Sequence, residues 1–228
     1  MCISFGSRKR AKKYKNIFVI KVEETIVING IKYTLEDIEK DCWVRLLNGA
    51  VKSRDPLHTP AVANLQEEGI TIRTVVLRAA NTINKELTFH TDVRSVKWNN
   101  LKKNTDTTWH FYDANARVQI RASGTATLHH NNLIADNAWS KTNVSSRKTY
   151  LGFDAPSTKS LVPSSGLLPA FDGENPSLEI SEMGRKNFGV VVTKINWLEW
   201  LWLNSKGNKR AAFSYSVNNA FEASWLIP

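Results

Sequence analysis

From Pro60 to His130 the chain is a succession of short apolar segments punctuated by turn residues, and this pattern limits the fold more than any other feature. TPAVANL and ITIRTVVLRAA are separated by Gln66-Glu67-Glu68-Gly69, a charged turn ending in glycine, and ELTFHTD follows the polar connection AANTINK. TTWHFYD and ARVQIRASGTATLHH come next, and the second is a long strand interrupted at Gly124. β-branched and aromatic residues bounded by turn signals read as strands, and a glycine inside a strand marks the bulge or bend that a barrel requires. Two further strand segments, VVVTKINWLEWLWLN and RAAFSYSV, precede the final FEASWLIP. Helical periodicity is rarer. Thr34 can cap a helix whose first turn holds Glu36 and Asp37 and whose apolar stripe is Ile38, Cys42 and Leu46, which predicts a helix over 35–48 ending near Asn48-Gly49. VKWNNLKKN is helix-like, and 136–152 reads as helical or irregular. Many short strands with few helices imply a mainly β domain, a small barrel with helical additions.

At 228 residues and 42% hydrophobic content the chain can bury one sizeable core. No run of 18 apolar residues suggests a transmembrane helix, and MCISFGSRKRAKKYK lacks the apolar centre of a secretory signal. Cys2 and Cys42 form neither a metal spacing nor a disulfide framework, so a reducing cytoplasm is the expected location. The net charge of +10 is concentrated at the start: residues 1–21 hold seven Lys/Arg and no acid, leaving 24 basic against 21 acidic residues elsewhere. Such a block reads as a solvated tail, and nucleic-acid or membrane binding is not expected. Residues 1–33 are therefore assigned to a basic, partly disordered extension, in which IFVIKVEETIVINGIKYT suggests a hairpin turning at Asn29-Gly30 and running into the domain. Residues 34–228 form the domain, with a long Pro-, Ser- and Gly-rich mobile segment at about 154–186 that carries Lys159, Arg185 and Lys186.

Arg73 and Arg78 bracket an apolar run, and positions five apart on one strand point to opposite faces. With Thr74, Thr91, Ser95 and Lys97 they make a group of cations and hydroxyls within 25 residues, the side chains a phosphate needs where no glycine-rich loop exists. Exposed cross-strand charges would give the same pattern. There is no GxGxxG, GxxxxGK[ST] or HExxH, and His129-His130 face opposite ways on a strand without further ligands at a metal spacing.

The order RTVVLR, FHTDVRSVKW, RVQIRASG, then a Trp-rich strand and a basic turn, resembles the pyridoxamine 5'-phosphate oxidase family of flavoproteins, and most closely a bacterial oxidase-related branch. The similarity runs over about 34–228. It implies an FMN-binding split β-barrel, mainly β with a few flanking helices, forming a homodimer with flavin at the subunit interface. The implied cofactor-binding residues are Arg73, Thr74, Val75, Val76 and Arg78 of the first segment, His90 and Thr91, then Ser95 and Lys97, and Gln119. Trp200 and Arg210, ten residues apart, complete the set. In this reading one of Arg73 and Arg78 meets the phosphate and the other the ring or substrate side. Gln119 offers a donor and an acceptor to the flavin's pyrimidine edge, and Arg78 or Arg210 a cation near N1–O2. Departures fall on the substrate side. Val96 stands where the family has an arginine, with Arg94 as a substitute. The family's Tyr-Arg-Ser substrate-phosphate positions fall near Ala138, Thr142 and Ser146, and the C-terminal turn NSKGNKRAAF has no histidine. The implied function is an FMN-dependent oxidoreductase acting on a small molecule other than a vitamin B6 phosphate, with no catalytic side chain assigned. A non-enzymatic flavin-binding protein and a haem protein using His129-His130 are the alternatives.

Overall fold

The computed structural model describes residues 25–216 and 221–228. The basic tail and the first half of the proposed hairpin lie outside the described residues. Its second half is a two-stranded ribbon, β1 (Ile26–Ile28) and β2 (Ile31–Tyr33), turning through Asn29 and Gly30, both at positive φ. Ile26, Ile28 and Tyr33 pack against the main core, so this end of the extension belongs to the domain.

Helix α1 (Leu35–Val51) begins as its sequence requires. The Thr34 hydroxyl accepts from the Asp37 N–H (3.2 Å), and the Asp37 carboxylate accepts from the Thr34 N–H (3.0 Å). It runs past the expected stop at Asn48-Gly49, because Gly49 serves close packing rather than a turn: a Cβ there would lie 2.9 Å from Leu57 Cβ. A buried polar chain ties α1 to the sheet. The Trp43 indole donates to the Tyr215 hydroxyl, which donates to Glu39, and Lys85 also donates to Glu39, each at 2.8 Å.

The remaining strands, β3 (Ala61–Gln66), β4 (Gly69–Thr74), β5 (Ala79–Asn81), β6 (Glu86–Asp92), β7 (Asp106–Asp113), β8 (Val118–His129), β9 (Phe188–Trp202), β10 (Lys209–Tyr215) and β11 (Phe221–Leu226), form one nine-stranded sheet with antiparallel pairings. The order is β11-β10-β9-β8-β7-β3-β4, with β6 pairing β9 and β5 pairing β6. The expected mainly β split barrel with a few helices is what the chain adopts.

Strand β9 explains the split. Its first half pairs with β6 through Lys194, and its second half pairs with β10 from Trp197 onward, while β8 follows both halves. The pairing with β8 slips by one residue between Ser123 and Gly124, at the point where β6 and β10 diverge. Gly124 is the bulge glycine anticipated from the sequence.

One expectation fails. ITIRTVVLRAA is two strands, not one, because the chain changes partner after Thr74: the Val75 and Leu77 N–H groups donate to the Pro60 and His58 carbonyls, and the Arg78 N–H to Thr88 (2.8–2.9 Å). A local pattern cannot show which neighbour each half will meet.

Helix α2 (Val96–Lys103) packs beside β3, with Trp98 and Leu101 in the main core. Helix α3 (Leu133–Ser140) packs against β9, and α4 (Val144–Arg147) follows it. There Ala135, Trp139, Tyr150, Phe188 and Val190 form a second apolar cluster. The segment 154–186 is mostly irregular, but its end is docked: α5 (Leu178–Glu182) buries Ser181, and Glu182 accepts from the Trp139 indole at 2.8 Å and pairs with Arg147.

Candidate functional site

At the start of α2 a cationic wall is assembled from four segments. Ser95 is the N-cap: its hydroxyl donates to the Asp92 carbonyl (2.7 Å) and lies 3.3 Å from the Thr91 hydroxyl. Lys97 donates to Thr91 Oγ1 at 2.8 Å. Arg73, at the end of β4, is held by neutral acceptors: Asn64 Oδ1, the Val62 carbonyl (3.3 Å) and Thr71 Oγ1 (3.0 Å). Burial lowers the pKa of Arg73. Burial, and then the charge of Arg73, lower that of Lys97, although Asp92 opposes this. Two part-buried cations are therefore close enough to act on one another, and among the described residues neither forms an ion pair with a carboxylate. Helix α2 begins here, capped by Ser95, and a helix N-terminus favours an anion. Arg94, the expected substitute for the family arginine, is not part of this wall. It is tied to Asp92 (2.7 Å) and to the Gly152 carbonyl (2.9 Å).

Arg78 is tied to β6 by its backbone, its N–H donating to the Thr88 carbonyl at 2.8 Å. Its guanidinium is exposed and, among the described residues, has no hydrogen-bond partner. It is close enough to His90 and Tyr150 to bias the ionisation of both. His90 stacks edge-on against Phe188 (4.8 Å between centroids), and its Nδ1 is buried without a partner among the described residues. Burial, helped by Arg78, pushes its pKa down to about 4, so the ring is neutral at physiological pH. Arg73 belongs to β4 and Arg78 directly precedes β5, so two segments rather than one strand place them. Of the residues between them, Thr74 is exposed, Val75 is core, and Val76 is half-buried.

The outer face of the sheet gathers a third group. Gln119, Leu201 and Arg210 lie side by side across β8, β9 and β10. The Gln119 side-chain oxygen lies 3.1 Å from His110 Nε2. Trp200 is not on this face. It is 2% exposed in the main core, opposite Ile120 and Ala211, because one step along a strand reverses the side-chain direction. Trp197 is the outward tryptophan here, 5.5 Å from the Arg121 guanidinium. No signal in the sequence alone separated these neighbouring tryptophans.

Sequence reasoning also missed Asn64 and Thr71, which hold Arg73. A polar residue at an inward position of β3 was the available signal, since an inward-facing asparagine needs a partner. The histidines at the end of β8 are engaged elsewhere: His130 Nε2 with the Lys186 carbonyl (3.0 Å) and His129 Nδ1 with Asn132 (3.3 Å).

Residues 40–130, which include most of these side chains, match a family model described as pyridoxamine 5'-phosphate oxidase, FMN-binding domain. The chain is similar to that family over this stretch. Among solved structures, the chain is similar to a pyridoxamine 5'-phosphate oxidase-related, FMN-binding protein from Nostoc punctiforme. Identity is 19%, the TM-score is 0.65, and the match covers 83% of this chain and 97% of that one. It is also similar to PhzG from Burkholderia lata, solved with tetrahydrophenazine-1-carboxylic acid. There identity is 18%, the TM-score is 0.63, and coverage is 83% and 92%. At these identities the likeness establishes the oxidase-related fold. No curated protein gives a significant match. Among the described residues, no helix is long and apolar enough to cross a membrane.

Proposed function

We propose that this chain binds FMN and works as an FMN-dependent oxidoreductase on a small molecule, as a homodimer with flavin at the subunit interface. The observation that carries the reading is the Arg73–Lys97 pair at the start of α2, two part-buried cations held by neutral partners. A phosphate monoester fits that arrangement, since it supplies the missing counter-charge beside a helix N-terminus. Bound FMN would supply the hydride chemistry. The chain's residues bind and orient it: Arg73, Lys97, Thr91 and Ser95 at the phosphate, and Gln119 and Arg210 of the outer sheet face at the ring. Gln119 and Arg210 are 91 positions apart in sequence yet share one cross-strand row, which supports a common role. The test is gel filtration after incubation with FMN, followed at the flavin band near about 450 nm. Flavin co-eluting one per chain with a species of twice the chain mass is the expected result. Protein eluting free of flavin removes the reading.

The substrate side differs from that of a vitamin B6 phosphate oxidase. Ala138 packs on the second cluster, Thr142 Oγ1 donates to the Ala138 carbonyl (2.8 Å), and Ser146 sits in α4 beside the N-cap Asn143. Two of the nearby cations are occupied. Arg147 pairs with Glu182 beneath Trp139, and Arg185 with Asp136. A substrate phosphate would be poorly matched there, and an unpaired buried charge costs several kcal/mol. FMN-loaded protein should consume little oxygen with pyridoxine phosphate, and turnover near about one per second would overturn this expectation.

A further inference from the structure

Glu199 projects from the outer face of β9, away from the main core, yet it is only 2% exposed. Two arginines cover it. Arg121 grips it with two bonds, Nε to Oε1 at 2.9 Å and Nη2 to Oε2 at 2.7 Å. Arg210 reaches Oε2 from the next strand. Burial pulls the Glu199 pKa up, but the hydrogen bonds and charges of both arginines outweigh it, and the carboxylate stays ionised. The register places the group beside the row described above. Arg121, Glu199 and Ala212 form one row, and Gln119, Leu201 and Arg210 the next. An ion triad of this kind adds little stability over apolar side chains of similar shape, so its worth lies in geometry and charge. Without the carboxylate, two guanidiniums this close would repel and turn away. With it, they are fixed side by side, and the group carries one net positive charge instead of two.

We propose that Glu199 is a positioning residue. It holds Arg210 and Arg121 against the Gln119 edge and sets how much positive charge the outer sheet face presents to flavin bound at the subunit interface. The inference rests on the proposed FMN function. Reduction of FMN by two electrons and one proton leaves an anion on the ring, so a nearby positive charge favours the reduced form over the oxidised one. Each charge removed from the triad should move that preference in a sign that can be stated beforehand.

The experiment is the midpoint potential of FMN bound to the full chain, with dithionite supplying the electrons and solvent the proton. Glu199→Gln adds one net positive charge and should raise the preference for reduced FMN about tenfold, equal to about 30 mV upward for a two-electron couple. Arg121→Gln removes one and should shift the potential downward by a similar amount. The double variant should return close to the parent. A purely structural role would not give opposite shifts that cancel. If Glu199→Gln does not fold, Arg121→Gln carries the test alone, since the Arg121 side chain is 39% exposed and its loss is tolerable. FMN bound at an unchanged potential in Arg121→Gln, or shifts of the same sign in both single variants, would overturn the inference while leaving the proposed function standing. A parent protein that binds no FMN would overturn both.

Discussion

Arg73→Ala should weaken FMN binding by about 1.5–3 kcal/mol, roughly 10- to 150-fold, and leave riboflavin affinity unchanged. The guanidinium is part-buried and held by Asn64, Thr71 and the Val62 carbonyl, none of them charged. Its charge is therefore available to a ligand, and charge-assisted hydrogen bonds to phosphate are of this size. Riboflavin lacks the phosphate and serves as the internal control, and titration calorimetry with both flavins separates a phosphate ligand from a structural residue. Equal losses for the two flavins would assign Arg73 to the scaffold. The pH dependence has a defined sign. Burial and Arg73 depress the Lys97 pKa, so Lys97 begins to lose its proton at lower pH than an ordinary lysine. FMN affinity should fall on the alkaline side as this happens, and riboflavin affinity should not follow it.

Gly124→Val should prevent the domain from folding, or cost at least about 4 kcal/mol. A Cβ at this position would lie 1.9 Å from the Lys194 carbonyl oxygen and 2.9 Å from Ile195 Cα, both backbone atoms that cannot swing aside. Movement there would open the pairing of β8 with β9 where β9 leaves β6 and joins β10. The valine would thus act on the split of the barrel, and through it on the distance between the Arg73 wall and the Gln119–Arg210 row. Urea unfolding of the soluble fraction checks this. A variant with parental stability would show that the bulge can relax in a way the present geometry excludes.

Much of the fold was legible because its signals are local. The capping pair Thr34 and Asp37, the turn glycines Gly30 and Gly69, and the interrupting Gly124 each act within a few residues or through one close approach. The anion wall was half legible. Ser95 announces the start of α2, and Lys97 and Thr91 are near it in sequence, so their meeting follows from helix and strand geometry. Arg73 was picked out as a cation, but its holder Asn64 comes from a paired strand. The helix end at Val51 and the break after Thr74 went unseen, because packing of Gly49 on Leu57 and a change of strand partner decided them.

Alternation of apolar and polar residues, helix caps and glycine positions are enough to commit this chain to a mainly β barrel with short helices, since each acts through the residue's own backbone and nearest neighbours. Which face a side chain serves is a different matter, because a shift of one residue in register sends every side chain to the other side of the sheet. Spacing alone paired Trp200 with Arg210, yet only the register of β9 against β8 and β10 buries Trp200 and turns Trp197 and Glu199 outward. The arginine triad and the row joining Gln119 to Arg210 are products of that long-range pairing, and the hold of Asn64 on Arg73 is a product of the pairing of β3 with β4.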